Sequence, residues 1–124
     1  MNKWIFYIPV YNQNVPFFKI LSEVLDSVKY CDKKKIHEAF FGEHITDKHE
    51  KITSSLIMAS SAASITSRIK LGTLTSNLNF YHPAISASHI ALVDNLSNGR
   101  LMLGIGSGAN NSDKEAIASL KLEN

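Results

Sequence analysis

Residues 68–113, RIKLGTLTSNLNFYHPAISASHIALVDNLSNGRLMLGIGSGANNSD, constrain the fold more than any other part of the chain. An apolar, β-branched run at 69–75 passes through a polar loop (77–82) to a helix opened by Pro83. A second such run at 101–105 ends in Gly104-Ile105-Gly106-Ser107-Gly108 and leads into another helix. Two strand–helix units in series require a parallel sheet. Its loops gather at the strand C-termini, where α/β folds bind ligands.

The same alternation runs through the first half of the chain. Residues 4–8 (WIFYI) are apolar without alternation and read as a strand covered on both faces. Residues 10–15 form a polar loop, with Asn14 placed to cap the next helix and Pro16 suited to its first position. Phe17, Ile20, Leu21, Val24, Leu25 and Val28 recur at helical spacing. After a charged connection at 32–37, residues 39–41 begin a short strand that ends at Gly42-Glu43-His44. A polar loop at 45–51 precedes a second helical stripe of Ile52, Leu56, Ala59 and Ala63. The third helix carries Ile85, Leu92 and Leu96 and stops at Asn98-Gly99, a left-handed C-terminal cap. Ser112 and Glu115 have the spacing of a capping box for a fourth helix.

The order is therefore βαβαβαβα, without linker or low-complexity tract. The expected fold class is α/β: about four βα units with parallel strands, the N-terminal half of a (β/α)8 TIM barrel. Such a barrel typically needs about 250 residues. Residues 1–124 are accordingly expected to be one partial domain, truncated at its C-terminus, whose open strand edges favour self-association. The competing arrangement is an open doubly wound sheet, a transferase fold with the GxGxG segment as nucleotide loop. That loop normally follows the first strand of such folds, whereas here it follows the fourth.

Composition narrows the partners. The net charge of +2 argues for neither nucleic acid nor a membrane surface, and the Lys33-Lys34-Lys35 run fits a solvated turn. No window of about 18 apolar residues marks a transmembrane helix, and the N-terminal apolar run is too short for a signal peptide. The one cysteine, Cys31, forms no internal disulfide and reads as a small buried apolar side chain. A cytoplasmic location follows by default.

The residues that carry chemistry sit where strands end. The glycines at 104, 106 and 108 let a backbone approach a phosphate or cofactor edge, although a tight strand-to-helix turn uses the same residues. His44 ends the second strand, on the face where barrels place catalytic groups. It is suited to donate a proton, hydrogen-bond a cofactor or act as a base, or to be satisfied within a loop network. Glu43 reads as an acceptor that orients loops. Thr73, Thr75 and Ser76 either line a planar ring system or simply meet solvent at a polar strand end. His82 reads as helix-start punctuation, and His37, His49 and His89 as structural. The histidine spacings match no zinc pattern, and no metal is expected. Asp94 and Arg100 are expected to pair and brace the turn at the opposite end of the strands.

Five segments together resemble one family. They are Gly42-Glu43-His44, Arg68-Ile69-Lys70-Leu71-Gly72-Thr73, His82-Pro83, the LVDNLSNGR run at 92–100, and Leu103-Gly104-Ile105-Gly106-Ser107-Gly108. In order and spacing they are similar to the N-terminal half of the bacterial luciferase-like flavin monooxygenases. The GANNSD run at 108–113 resembles the limonene-type branch. The resemblance runs from about Glu38 onward. It implies a barrel holding reduced FMN at the strand C-termini, O2 and a small organic substrate as reactants, and a separate flavin reductase. Some relatives use a deazaflavin instead and transfer hydride. By position, His44 resembles the active-site histidine near the flavin ring. Thr73, Leu74 and Thr75 match the segment beneath the ring, where the family often has a non-prolyl cis peptide, here Leu74–Thr75. Gly106, Ser107 and Gly108 match the loop that helps enclose the cofactor. Ile45 stands where many relatives have a second histidine, and Ser107 where several have arginine. Strands five to eight lie outside the sequence. The implied activity is a flavin-dependent oxygenation; the alternative is a non-catalytic half-barrel remnant or a subunit that completes a partner.

Overall fold

A computed structural model of the chain describes residues 1–108 and 110–119. Four strands, β1 (Trp4–Tyr7), β2 (Glu38–Phe41), β3 (Lys70–Asn77) and β4 (Leu101–Gly106), form one sheet in the order β1-β2-β3-β4. Every neighbouring pair is parallel. The helices are α1 (Phe17–Lys33), α2 (Ser55–Ala63), α3 (Pro83–Leu96) and α4 (Asn111–Ser119), and a 3-10 turn spans Leu78–Phe80. Strand order that follows chain order without reversal is the winding of a barrel. It excludes the doubly wound alternative, which needs a reversal point. Ala109 of the GANNSD run and the chain beyond Ser119 lie outside the described residues.

Register explains the core. Ile5, Ala39, Leu71 and Leu101 stand in one row across the sheet. All four pack with Val24 and Val28 of α1, Met58 and Ala59 of α2, and Val93 of α3. Tyr7, Phe41 and Thr73 form the next row of the same face, with the Tyr7 and Phe41 rings stacked at 5.7 Å. Burial pushes the Tyr7 hydroxyl up to about 12, while its bond to Ser27 Oγ (2.8 Å) pulls the other way. Cys31 is buried beside it, as its place in the helical stripe implied.

The other face of the sheet is open, which corrects the expectation for residues 4–8. Trp4 is 62% exposed and Phe6 36%, and no helix covers them. In a closed barrel these side chains would fill the interior, so the unbroken apolar pattern is a barrel pattern seen on half a barrel.

Local signals mostly acted as read. His82 Nδ1 accepts from the Ala84 N–H at the start of α3, and Asn98 and Gly99 both take left-handed backbone at φ 56° and 72°. Three did not. Asn14 makes no cap; Pro16 precedes α1 without a side-chain cap. The Ser112–Glu115 box is replaced by Asn110, whose Oδ1 accepts from Ser112 N and Oγ. Ile52 lies before α2, which is capped by Ser54.

Candidate functional site

The rim at the strand C-termini is built around two carboxylates. Glu43, two residues past the end of β2, is buried. Its Oε2 accepts from Ser55 N (2.9 Å) and Ser55 Oγ (2.8 Å), and its Oε1 accepts from Asn77 N (2.8 Å). One side chain thus ties the end of β2 to the start of α2 and the end of β3, the loop-orienting role expected of it. The second is Asp113, in the first turn of α4 and 1% exposed. Its Oδ1 accepts from Ile45 N (3.2 Å), Thr46 N (2.7 Å) and Thr46 Oγ1 (2.6 Å). Burial opposes ionisation of Asp113, but the Thr46 hydroxyl and amide, with His44, outweigh it and hold the carboxyl below its usual range.

His44 lies between two acids. Its Nδ1 is 3.4 Å from Asp113 Oδ2 and its Nε2 is 3.1 Å from Glu50 Oε2. Carboxylates only accept, so a neutral imidazole donates to one of them at a time and the cation to both. The two oxygens face opposite ring nitrogens, an arrangement too spread for one shared ion. Among the described residues no group of three His, Cys, Asp or Glu side chains is placed to hold a metal.

The glycine bend belongs to the same rim. Thr73 is fully buried on the helix-facing side. Its hydroxyl donates to Gly104 O (2.8 Å) and accepts from Gly104 N (3.0 Å), so it has no free side-chain surface and presents only backbone to the rim. A Cβ on Gly104 would overlap the Thr73 carbonyl oxygen, which no rotamer change relieves. The Leu74–Thr75 peptide is cis, as the resemblance implied, and the β3–β4 register shifts there. Leu74 is exposed. The Thr75 hydroxyl sits 3.2 Å from Asn77 Oδ1, where it would overlap a Cβ on Gly106. Gly108 lies near Asn79 and Phe80, and Ser107 is exposed.

Thr75 and Gly106 are thus neighbours, Gly108 is close by, and His44 joins them through Asp113, five residues past Gly108. Sequence reasoning missed Asp113 as the partner of His44, and Glu50 altogether. The available signal was an acid in the first turn of a helix opening at the same rim. Asp94 does not pair with Arg100 among the described contacts. Arg100 instead donates to Ser97 O, Thr66 Oγ1, Thr66 O, Ile69 O and Ala63 O, so it braces the opposite end without Asp94.

Cavities do not coincide with this chemistry. A cavity of about 290 Å³ lies between α2 and α3, lined by residues including Ile57, Tyr81, His89 and Val93, and it touches neither His44 nor Gly106. Beside His44 only about 10 Å³ is enclosed. The site is a rim open on its inner side.

Four parallel βα units wound in chain order, with a histidine and a glycine bend on one rim, define part of a TIM-barrel fold. The sequence pattern of the family described as luciferase-like monooxygenase matches residues 10–119, and the chain belongs to that family. It is 36% identical over 84 residues to limonene 1,2-monooxygenase of Rhodococcus erythropolis, covering 68% of this chain and 22% of that one. It is 29% identical over 99 residues to the oxygenase component of the flavin-dependent trigonelline monooxygenase of Acinetobacter baylyi, covering 80% and 28%. Its fold matches the FMN-bound oxygenating constituent of 3,6-diketocamphane monooxygenase from Pseudomonas putida with a TM-score of 0.89. That match has 24% identity and covers 94% of this chain and 32% of the other. The chain therefore spans less than a third of the length of each of these relatives. No helix among the described residues is long and apolar enough to cross a membrane.

Proposed function

We propose that this chain supplies the first four βα units of a flavin-dependent oxygenase that acts on a small organic molecule with reduced FMN and O2. The observation that carries the reading is the shared rim. His44 follows β2, the bend follows β4, and Asp113, buried five residues past the bend, contacts the His44 ring. The residues fit a planar cofactor edge. The backbone at 104–108 is bare of side chains at its three glycines, and exposed Leu74 and Ser107 flank it. Leu74 and Thr75 would support the ring, with Thr73 contributing through its backbone, and Gly106, Ser107 and Gly108 would enclose its edge. The bend carries no cation, so it binds through N–H groups rather than charge.

The flavin, when bound, supplies the reaction with O2. His44 supplies a proton or a hydrogen bond at the rim, with Asp113 fixing the ring at Nδ1. Glu50 must give up Nε2 before that nitrogen can face a ligand. The relative described as an oxygenase component supports a separate reductase as the source of reduced flavin. FMN is preferred to a deazaflavin because the matched structure that names FMN superposes with a TM-score of 0.89, against 0.72 for the matched coenzyme F420-dependent reductase.

The test is anaerobic titration of the 124-residue chain with reduced FMN, followed by amide and imidazole NMR shifts, which register even weak binding. Shifts at Leu74, Ser107, Gly108 and His44, weakened several-fold by His44→Ala, are expected. Shifts confined to other residues, or none at millimolar flavin, reject the reading. A parallel titration with a reduced deazaflavin separates the two cofactors.

A further inference from the structure

His44 is held from both sides, and the two holds are unequal. Asp113 Oδ2 lies 3.4 Å from Nδ1, whereas Glu50 Oε2 lies 3.1 Å from Nε2. The first is longer than an ordinary hydrogen bond and the second is within the usual range. Asp113 is fixed. It is 1% exposed, and its Oδ1 is bound by Ile45 N, Thr46 N and Thr46 Oγ1. Glu50 is fixed only through its backbone. Asp47 Oδ1 accepts from His49 N (2.7 Å) and Glu50 N (3.0 Å), which closes a turn, and Val10 of the β1–α1 loop bridges to Glu50. His44 N donates to Ile52 O (2.8 Å) and ties the two ends of the loop together. The Glu50 side chain is 33% exposed, and among the described contacts its carboxylate meets no partner but His44.

We infer that Glu50 is a positioning residue that keeps a hydrogen on Nε2 of His44, so that the ring meets the rim as a donor. Both carboxylates only accept, and a neutral imidazole has one hydrogen to give. Which nitrogen carries it is set by the partners of the two. The shorter contact, at Nε2, places it there. Without Glu50 the one acceptor left is Asp113. The hydrogen then moves to Nδ1, and Nε2 turns a bare lone pair outward as a base. One carboxylate thus decides between the two roles open to His44. Glu50 also yields. The turn pins its backbone while the half-exposed carboxylate swings into water, and an acceptor atom of a ligand takes its place at Nε2, where the hydrogen already sits. Asp113, buried and bound at its other oxygen, has no such freedom. The rim therefore selects a ligand that presents an acceptor, such as a carbonyl oxygen or an unprotonated ring nitrogen, over one that presents only a donor.

What that ligand is rests on the flavin reading. The position of the hydrogen does not, and its test uses no flavin, so either can fail without the other. The test is NMR of the His44 ring nitrogens in the isotope-labelled chain, at a pH about two units above the usual imidazole value of about 6.5. Nε2 is expected at the resonance of a nitrogen that bears hydrogen. In Glu50→Ala it is expected at the bare-nitrogen position, with the hydrogen on Nδ1. Glu50→Gln, whose amide oxygen still accepts, is expected to return the hydrogen to Nε2. Asp113→Asn removes the acceptor at Nδ1 and is expected to hold the hydrogen on Nε2 more completely, so the two acids act in opposite directions. The Ile45 and Thr46 amide resonances are expected to stay in place in Glu50→Ala, because Asp113 Oδ1 still binds them. A bare Nε2 in the unsubstituted chain overturns the inference, and so does an Nε2 resonance indifferent to Glu50→Ala. A Glu50→Ala chain in which the Thr46 amide moves along with the ring also overturns it, since Glu50 would then hold the loop rather than the imidazole.

Discussion

The two ends of the sheet use the same device to opposite effect. At the N-terminal end Asp32, buried at the close of α1, accepts from Ser67 N (3.1 Å), Arg68 N (3.0 Å) and Ile69 N (2.7 Å), and Arg100 stitches the neighbouring carbonyls. Asp32 spends both oxygens on backbone N–H groups, and the Arg100 guanidinium spends its donors on carbonyl and hydroxyl oxygens. At the C-terminal end Asp113 also collects backbone N–H groups, but one of its oxygens is given to His44, whose side chain is 28% exposed. A buried carboxylate can close a structure or hold a reactive group at its surface. The difference lies in whether its last acceptor site is turned inward or toward the opening.

The largest expected effect comes from breaking the closed end. Asp32→Ala strands three backbone N–H groups and should cost roughly 3 kcal/mol, read as a fall in the urea midpoint. A loss below about 1 kcal/mol would mean the loop at 67–69 finds other acceptors and the end is not closed as described. The same carboxylate gives a pH dependence. Burial raises its pKa, but the amides of Ser67, Ile69 and Arg68 and the charge of Arg68 outweigh that and hold it below the usual range. A depressed folded pKa means the stabilisation is complete above the unfolded value of about 4 and is lost as pH falls through the folded value. Acid titration followed by circular dichroism should show unfolding below that point, and Asp32→Asn should flatten it.

Arg100→Lys is next, at about 2 kcal/mol, since an ammonium cannot reach acceptors on Ser97, Thr66, Ile69 and Ala63 together. Thermal melting measures it; an unchanged midpoint would show that charge, not the planar fork, is what this end needs.

At the open end the expected costs shrink and the local readout grows. Asp113→Asn keeps an oxygen for Ile45 and Thr46 but turns an amide donor toward His44. A stability loss of about 1 kcal/mol is expected, together with a changed tautomer balance in the His44 ring nitrogen resonances. Unchanged resonances would remove Asp113 from the positioning of His44. Asp113 is also held below the usual carboxylate range, so the tether between α4 and residues 45–46 should persist through neutral pH and release only in acid.

What the sequence disclosed follows the range of the signals. Winding, strand order and the rim position of His44 are legible because strand runs, helix stripes and turn residues are local. His82-Pro83 and Asn98-Gly99 do what their chemistry dictates within two or three residues. The His44–Asp113 contact joins positions 69 residues apart, and nothing local marks it. Asp94 and Arg100 misled for the converse reason. They are neighbours in sequence, but the turn sends Arg100 to carbonyls more than thirty residues away. Residues 4–8 misled because their pattern suits an eight-stranded enclosure, and a four-stranded sheet covers one face only.

The smallest stability effect should come from the residue that matters most to the proposed chemistry. His44 holds no backbone group through its side chain; its ring contacts are Asp113 and Glu50, and both acids lie near enough to the surface or to other donors to be satisfied without it. Glutamine carries both N–H donors on one nitrogen, so His44→Gln cannot reproduce the two opposed ring nitrogens that face Asp113 and Glu50. The expected loss is within about 0.5 kcal/mol, with Thr46 and Ile45 amide shifts nearly unmoved because Asp113 Oδ1 still holds them. The reduced-FMN shifts at Leu74 and Ser107 should nonetheless fall. A loss above about 2 kcal/mol would show that the imidazole is built into the rim as Asp32 is built into the opposite end, and the contrast between a closed end and a poised one would collapse.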